Sequence, residues 1–151
     1  MNRLVQRKIW AGFTLLEVLL VVAIIAILAV IVIVAINPGR QLAQARNAER
    51  RSDVRTILDA IKQYSIDNGG FAPTTIANTL TEICATSNPN CGSLVDLSVL
   101  TTGGKYLSKI PADPRDHCSA GGVCYEVLVG GDCVKVVAPG AELGETIEVM
   151  R

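Results

Sequence analysis

The sequence predicts an α+β chain in which a long N-terminal α-helix packs against a small antiparallel β-sheet head. Three observations carry this. From Val18 to Pro38 there is no charged residue, enough for a membrane-spanning helix of about 20 residues. Leu42, Ala45, Val54, Ile57, Leu58, Ile61 and Tyr64 then recur at intervals that fit a helix. Finally, Val123–Val129 and Asp132–Ala138 flank Gly130-Gly131, the pattern of a β-hairpin.

The first element follows from its lack of sidedness. VLLVVAIIAILAVIVIVAI is apolar on every face, whereas a helix half-buried in a soluble core alternates with polar residues. A carboxylate, Glu17, nevertheless stands near its start, behind a leader holding Arg3, Arg7 and Lys8. A secretory signal carries its small-residue cleavage site after the apolar run. Here the small residues Ala11 and Gly12 precede it and Asn37-Pro38-Gly39 follows. The expectation is that any cut separates leader from run and leaves the helix on the chain. Pro38 and Gly39 are expected to kink or break the helix, because proline lacks the amide and crowds the preceding turn.

The second half of the helix, residues 37–68, is amphipathic, with Arg55–Asp59 and Asp59–Lys62 spaced for pairing on its polar face. Asn68-Gly69-Gly70 is its stop signal. In residues 69–104 the pattern predicts a short helix over Thr74–Ile83 and another carrying Leu94, Leu97 and Leu100, with Ser93–Asp96 in capping-box form. In the hairpin, a turn at Gly130-Gly131 places Glu126 opposite Lys135, Tyr125 opposite Val136 and Val127 opposite Val134. Thr146–Val149 is a further strand candidate.

Charge is balanced overall, with 14 basic and 14 acidic residues, but it is segregated. Residues 37–68 carry a net +2 and residues 69–151 a net −4. An acidic outer part does not suit nucleic acid, which calls for clustered Lys and Arg. All five cysteines, Cys84, Cys91, Cys118, Cys124 and Cys133, lie in the last half without a C-x-x-C motif. Behind a membrane segment they are disulfide candidates. Cys84–Cys91 is the first expected pair. Cys118 is left to join Cys124 or Cys133, and Cys124–Cys133 is disfavoured because the two are not opposite in the hairpin.

Lys8-…-Gly12-Phe13-Thr14-Leu15-Leu16-Glu17 resembles the prepilin leader junction of type IV pilins and of the pseudopilins of type II secretion. Tyr106-Leu107-Ser108-Lys109-Ile110-Pro111-Ala112-Asp113-Pro114 resembles the segment preceding the sheet in major pseudopilins. The resemblance implies a pilin-like fold and cleavage of Gly12–Phe13 by prepilin peptidase, with N-methylation of Phe13. It also implies pairing of Glu17 with the Phe13 amine of a neighbouring subunit. The organisation it implies is a leader at 1–12, an assembly helix at 13–36, its amphipathic continuation at 37–68 and an extracytoplasmic head at 69–151. The implied partners are other copies of the chain and related pilins in a filament, the peptidase, an inner-membrane assembly platform and the lipid bilayer. The implied location is the cytoplasmic membrane and then a pilus or pseudopilus. The five arginines Arg40, Arg46, Arg50, Arg51 and Arg55 beyond the span run against an outside head by simple charge counting, whereas the cysteines favour it.

Other readings are a minor pilin or tip module for adhesion or surface recognition, and a single-pass membrane protein that never assembles. Enzymatic chemistry is not expected. The lone His117 stands beside Arg115-Asp116, without a legible nucleophile or Gly-rich phosphate loop. Zinc at His117, Cys118, Cys124 and Cys133 lacks the usual spacing. Calcium, commonly bound in major pseudopilins near the C-terminus, is not predicted: Asp113, Asp116 and Asp132 are available, but the Gly130-Gly131 hairpin and cysteines replace the family's Asp-Gly-containing loop. No metal or cofactor is expected.

Overall fold

The computed structural model describes residues 12–115, 117–131 and 133–151. The leader expected at residues 1–12 lies outside them except for Gly12, and Asp116 and Asp132 lie outside as well. Two compact units divide between Pro38 and Gly39.

The first holds helix α1, Leu15–Ile36. Beyond Glu17, its helix-forming leucines and alanines and its stiff valines and isoleucines leave no polar side chain to compete for backbone hydrogen bonds. It ends where Asn37 adopts φ 47°, ψ 75°, a left-handed conformation that Asn tolerates better than most residues. The backbone break expected at Pro38 and Gly39 therefore sits one residue earlier. Pro38 and Gly39 are the opening residues of α2, Pro38–Asp67, where proline's missing amide costs nothing.

The second unit joins α2 to a four-stranded antiparallel meander. Its strands are β1 (Thr81–Cys84), β2 (Gly122–Gly130), β3 (Cys133–Ala138) and β4 (Ile147–Met150), neighbours in that order. Val54, Ile57, Leu58 and Ile61 of α2 share one core with Ile83, Val123, Tyr125, Val127, Val134, Val136 and Ile147. Each fully buried Val or Ile contributes about 1.5–3 kcal/mol by leaving water. The buried face of α2 begins differently from the expected stripe. Leu42 and Ala45 are exposed, and Ala43, Asn47 and Arg50 point inward instead.

Three further expectations are corrected. Thr74–Ile83 is not a helix: turns lead into β1, whose Thr81 and Glu82 pair with Val127 and Glu126 of β2. Thr74, Thr75, Thr79 and Thr81 make this stretch a poor helix former, and Ile76 and Ile83 are each buried. The helix expected around Leu94–Leu100 shrinks to α3, Ser98–Thr101, with Leu97 at its N-cap in place of the expected Ser93 box, and Asp96 Oδ1 accepting from Ser98 N at 2.8 Å in the turn before it. The hairpin register is offset by two residues: Val129 faces Val134, Leu128 faces Lys135 and Glu126 faces Val137. A two-residue offset keeps every side chain on its own face, so alternation alone cannot distinguish the registers. The turn decides, with Gly131 at φ 60° beyond the strand and Gly130 inside it, facing Cys133. Lys135 finds its carboxylate on β4, Glu148 at 2.7 Å. Asp59 likewise takes Arg151, at 3.2 Å, in place of Arg55.

Candidate functional site

Gly12 and Phe13 precede the helix, both exposed, Phe13 at 81%. Thr14 is the N-cap, extended at φ −78°, ψ 151°, and its hydroxyl accepts from Glu17 N at 3.2 Å. Thr14-Leu15-Leu16-Glu17 thus has capping-box spacing, a signal the sequence reading overlooked. Glu17 lies in the first helical turn, where a carboxylate also complements the helix dipole. The structure therefore assigns Glu17 a local role beside any intermolecular one. We expect Thr14→Ala to weaken the first turn by about 1 kcal/mol, while Thr14→Ser leaves it unchanged. Amide exchange of Leu16–Val18 in lipid nanodiscs measures this, and equal protection in both variants would remove the cap from the account.

Beyond the cap, α1 has no buried residue. Its large side chains are exposed from Val21 at 47% to Leu15 at 83%. It is long and apolar enough to cross a membrane. An apolar surface of this extent marks a lipid or protein contact.

The head contributes a buried ionic cluster that the sequence reading did not assemble. Arg50, fully buried, donates from Nε to Asp113 Oδ2 at 2.6 Å and from Nη2 to Oδ1 at 2.9 Å. Its Nη1 donates to Asn47 Oδ1 and to Glu142 Oε2, both at 3.0 Å. Asn47 in turn donates from Nδ2 to Glu142 O and accepts from Glu142 N, and Arg46 donates to the same carboxylate at 2.6 and 2.8 Å. One helix face thereby fastens the loop before β2 and the loop after β3. The clue in the sequence was the spacing itself: Ala43, Asn47, Arg50 and Val54 continue the apolar stripe with polar residues in it.

Burial raises the Asp113 carboxyl, but hydrogen bonds from Arg50, then from the Arg115 amide, outweigh it and leave it below its ordinary 3.8. Glu142 is held down to about 2, first by Arg46 and, against burial, by Arg50. Groups depressed in the folded state stabilise it above their unfolded values and lose that effect as they protonate. Head stability is therefore expected to be level at neutral pH and to fall as pH drops from 4.5 toward about 2. Asp53, raised by burial against its hydrogen bond from Tyr125, offsets part of this loss. Thermal unfolding followed across that range checks the direction; stability rising toward pH 2 would contradict it.

Cys84 is bonded to Cys91 and Cys118 to Cys124, while Cys133 is an exposed thiol opposite Gly130. The zinc set of His117, Cys118, Cys124 and Cys133 is not assembled, since two of its sulfurs are joined to each other. Glu82 shares a group with Cys118 and Cys124, but the same disulfide occupies both thiols. Asp113 is committed to Arg50, and Asp116 and Asp132 fall outside the described residues. A cleft of about 330 Å³ beside this disulfide is lined by Glu82, His117, Cys118, Cys124 and Glu126. Compared with known proteins, the chain matches no family model, no curated sequence and no solved structure.

Proposed function

We propose that this protein is a non-enzymatic structural subunit of a type IV pilus-like or type II secretion pseudopilus filament. The observation that carries the reading is α1, a 22-residue apolar helix with no buried residue and a single carboxylate in its first turn. A pilin-like fold is consistent with the α+β layout of a long helix and a small meander. In this reading prepilin peptidase removes residues 1–12, Phe13 is N-methylated, and the helix waits in the bilayer with the head outside the cytoplasm. Polymerisation follows through the assembly platform. The amine made at Phe13 attracts Glu17 of a neighbouring copy, so that each lowers the other's desolvation cost. The disulfides support an oxidising location for the head.

Intact mass and N-terminal mapping of protein from its native membrane test the reading. A chain beginning at methylated Phe13 is expected, and one beginning at Met1 with every thiol free would overturn it. Glu17→Ala should be processed normally yet yield at least about tenfold less filament, since an unpaired charge in an apolar zone costs about 2.5–3.5 kcal/mol. Glu17→Gln keeps the side chain's size and the backbone amide that Thr14 caps, but not the charge, and should fail in the same way. Normal filaments from Glu17→Gln would leave the residue only its local role.

A further inference from the structure

β1 and β2 run in two stretches that are out of step. Thr81 faces Val127 and Glu82 faces Glu126, yet Cys84 faces Gly122. One residue of β1, Ile83, thus spans the same length as three of β2, Val123, Cys124 and Tyr125. The surplus is a bulge of the kind that bends a strand and interrupts its ladder. It is taken up at Cys124, whose φ of 62° is in the left-handed region, uncommon for any residue but glycine. The Cys124 amide donates not to the β1 backbone but to Glu82 Oε1, at 2.9 Å. Its sulfur is held by Cys118.

If the first register continued without interruption, Ile83 would face Tyr125 and Cys84 would face Cys124. Directly opposed residues of antiparallel strands have Cα atoms about 4.5–5.5 Å apart, inside the roughly 4.4–6.8 Å that a disulfide bridges. The slip is by two residues, so Tyr125 and Val127 keep their face toward the core, and Cys124 would lie beside Glu82 and Glu126. The two cysteines left over, Cys91 and Cys118, belong to loops already in contact. Ala85 N donates to Gly121 O at 2.8 Å and Asn88 Nδ2 to the same oxygen at 3.5 Å.

We propose that the head has two β1–β2 registers selected by disulfide connectivity. One is the bulged register with Cys84–Cys91 and Cys118–Cys124. The other is a continuous ladder with Cys84–Cys124 and Cys91–Cys118. The exchange needs only a catalytic monothiol and no net oxidant. Its thiolate attacks the Cys118 sulfur, forming a mixed disulfide and releasing the Cys124 thiolate. That thiolate attacks Cys84, forming Cys84–Cys124 and releasing the Cys91 thiolate. Cys91 then attacks the Cys118 sulfur of the mixed disulfide, forming Cys91–Cys118 and returning the monothiol. Two S–S bonds break and two form, apart from the transient one. In the second register Cys124 leaves its left-handed conformation and two residues pass into the loop ahead of β2. The bond from Asp113 N to Val123 O, 3.0 Å long here, opens. The device therefore loosens the loop that carries the partner of Arg50 and reshapes the cleft beside Glu82.

The test uses the full chain in detergent micelles, equilibrated with reduced and oxidised glutathione at mildly alkaline pH. After acid quench and alkylation it is digested without reduction, and linked peptides are mapped by mass. Cys84–Cys124 and Cys91–Cys118 peptides are expected in matching amounts, at or above about 0.1% of molecules, the lower end for a populated minor state. Their absence overturns the proposal. So does an equal or greater share of Cys84–Cys118, which reports unfolding and scrambling. A Cys91→Ser/Cys118→Ser variant supplies the second arm. On oxidation it should form Cys84–Cys124 and protect the Ile83 and Tyr125 amides about tenfold over its reduced form. A variant with native far-ultraviolet dichroism in which Cys84 and Cys124 stay unjoined to each other, whether free or bonded to the exposed Cys133, would equally overturn the second register.

Discussion

Arg50→Ala is expected to lower the unfolding free energy of the head by about 3–5 kcal/mol, the cost of leaving a buried charge without its partner. The stranded group is Asp113, whose side chain is wholly buried and takes two hydrogen bonds from the guanidinium. Asn47 loses a donor and Glu142 loses one of its cations in the same change. For a unit of this size each 1 kcal/mol moves the melting temperature by about 4–8 °C, so the midpoint should fall by more than about 12 °C. The sharper form compares Arg50→Met with the double variant Arg50→Met/Asp113→Asn. Removing both charges should cost less than removing the arginine alone, because no uncompensated ion remains. Thermal unfolding of the parent, Arg50→Met, Asp113→Asn and the double variant decides it. A double variant as unstable as the sum of its parts would mean that the pair is not coupled.

Gly12→Val should abolish processing while leaving the fold untouched. A Cβ built at Gly12 meets nothing within 4 Å, and the residue precedes the helix cap. Among the described residues nothing gives a packing reason to require glycine there. Head stability should stay within about 0.5 kcal/mol of the parent, as for substitutions that touch nothing. Under the proposed function, a processing defect would then belong to recognition by the peptidase. The readout is the N-terminal mass of membrane-extracted protein, expected to retain Met1 entirely. A Gly12→Val chain cut normally before Phe13 would refute the role given to this glycine.

Sequence pattern disclosed elements whose periodicity is local. The apolar run, the stop at Asn68-Gly69-Gly70 and the β2–β3 hairpin each rest on neighbours within a few residues. It failed where two solutions share the same pattern. The hairpin registers differ by two residues and bury the same faces, so Gly131's left-handed turn was needed to choose. Thr81–Cys84 reads as a strand only once β2 is known to lie beside it. The ionic cluster was the largest omission, for Arg50 and Asp113 are 63 positions apart. Counted along the chain, Arg50 was one more cation after the span, although its helical phase with Val54 and Ile57 pointed it inward. Thr14 carries no charge to mark it, and its capping role is legible only in its distance of three residues from Glu17.

The placement of Arg50 also imposes an order of events during synthesis. The helix leaves the ribosome with an inward-facing cation whose acceptors, Asp113 and Glu142, are still to be translated, 63 and 92 residues later. At about 5–20 residues per second, roughly 3–13 seconds pass before Asp113 exists. Through that interval the apolar stripe of α2 carries a built-in deterrent to burial against any nascent partner that lacks a matching carboxylate. The full set of hydrogen bonds to Arg50 can close only after both acidic loops have been made.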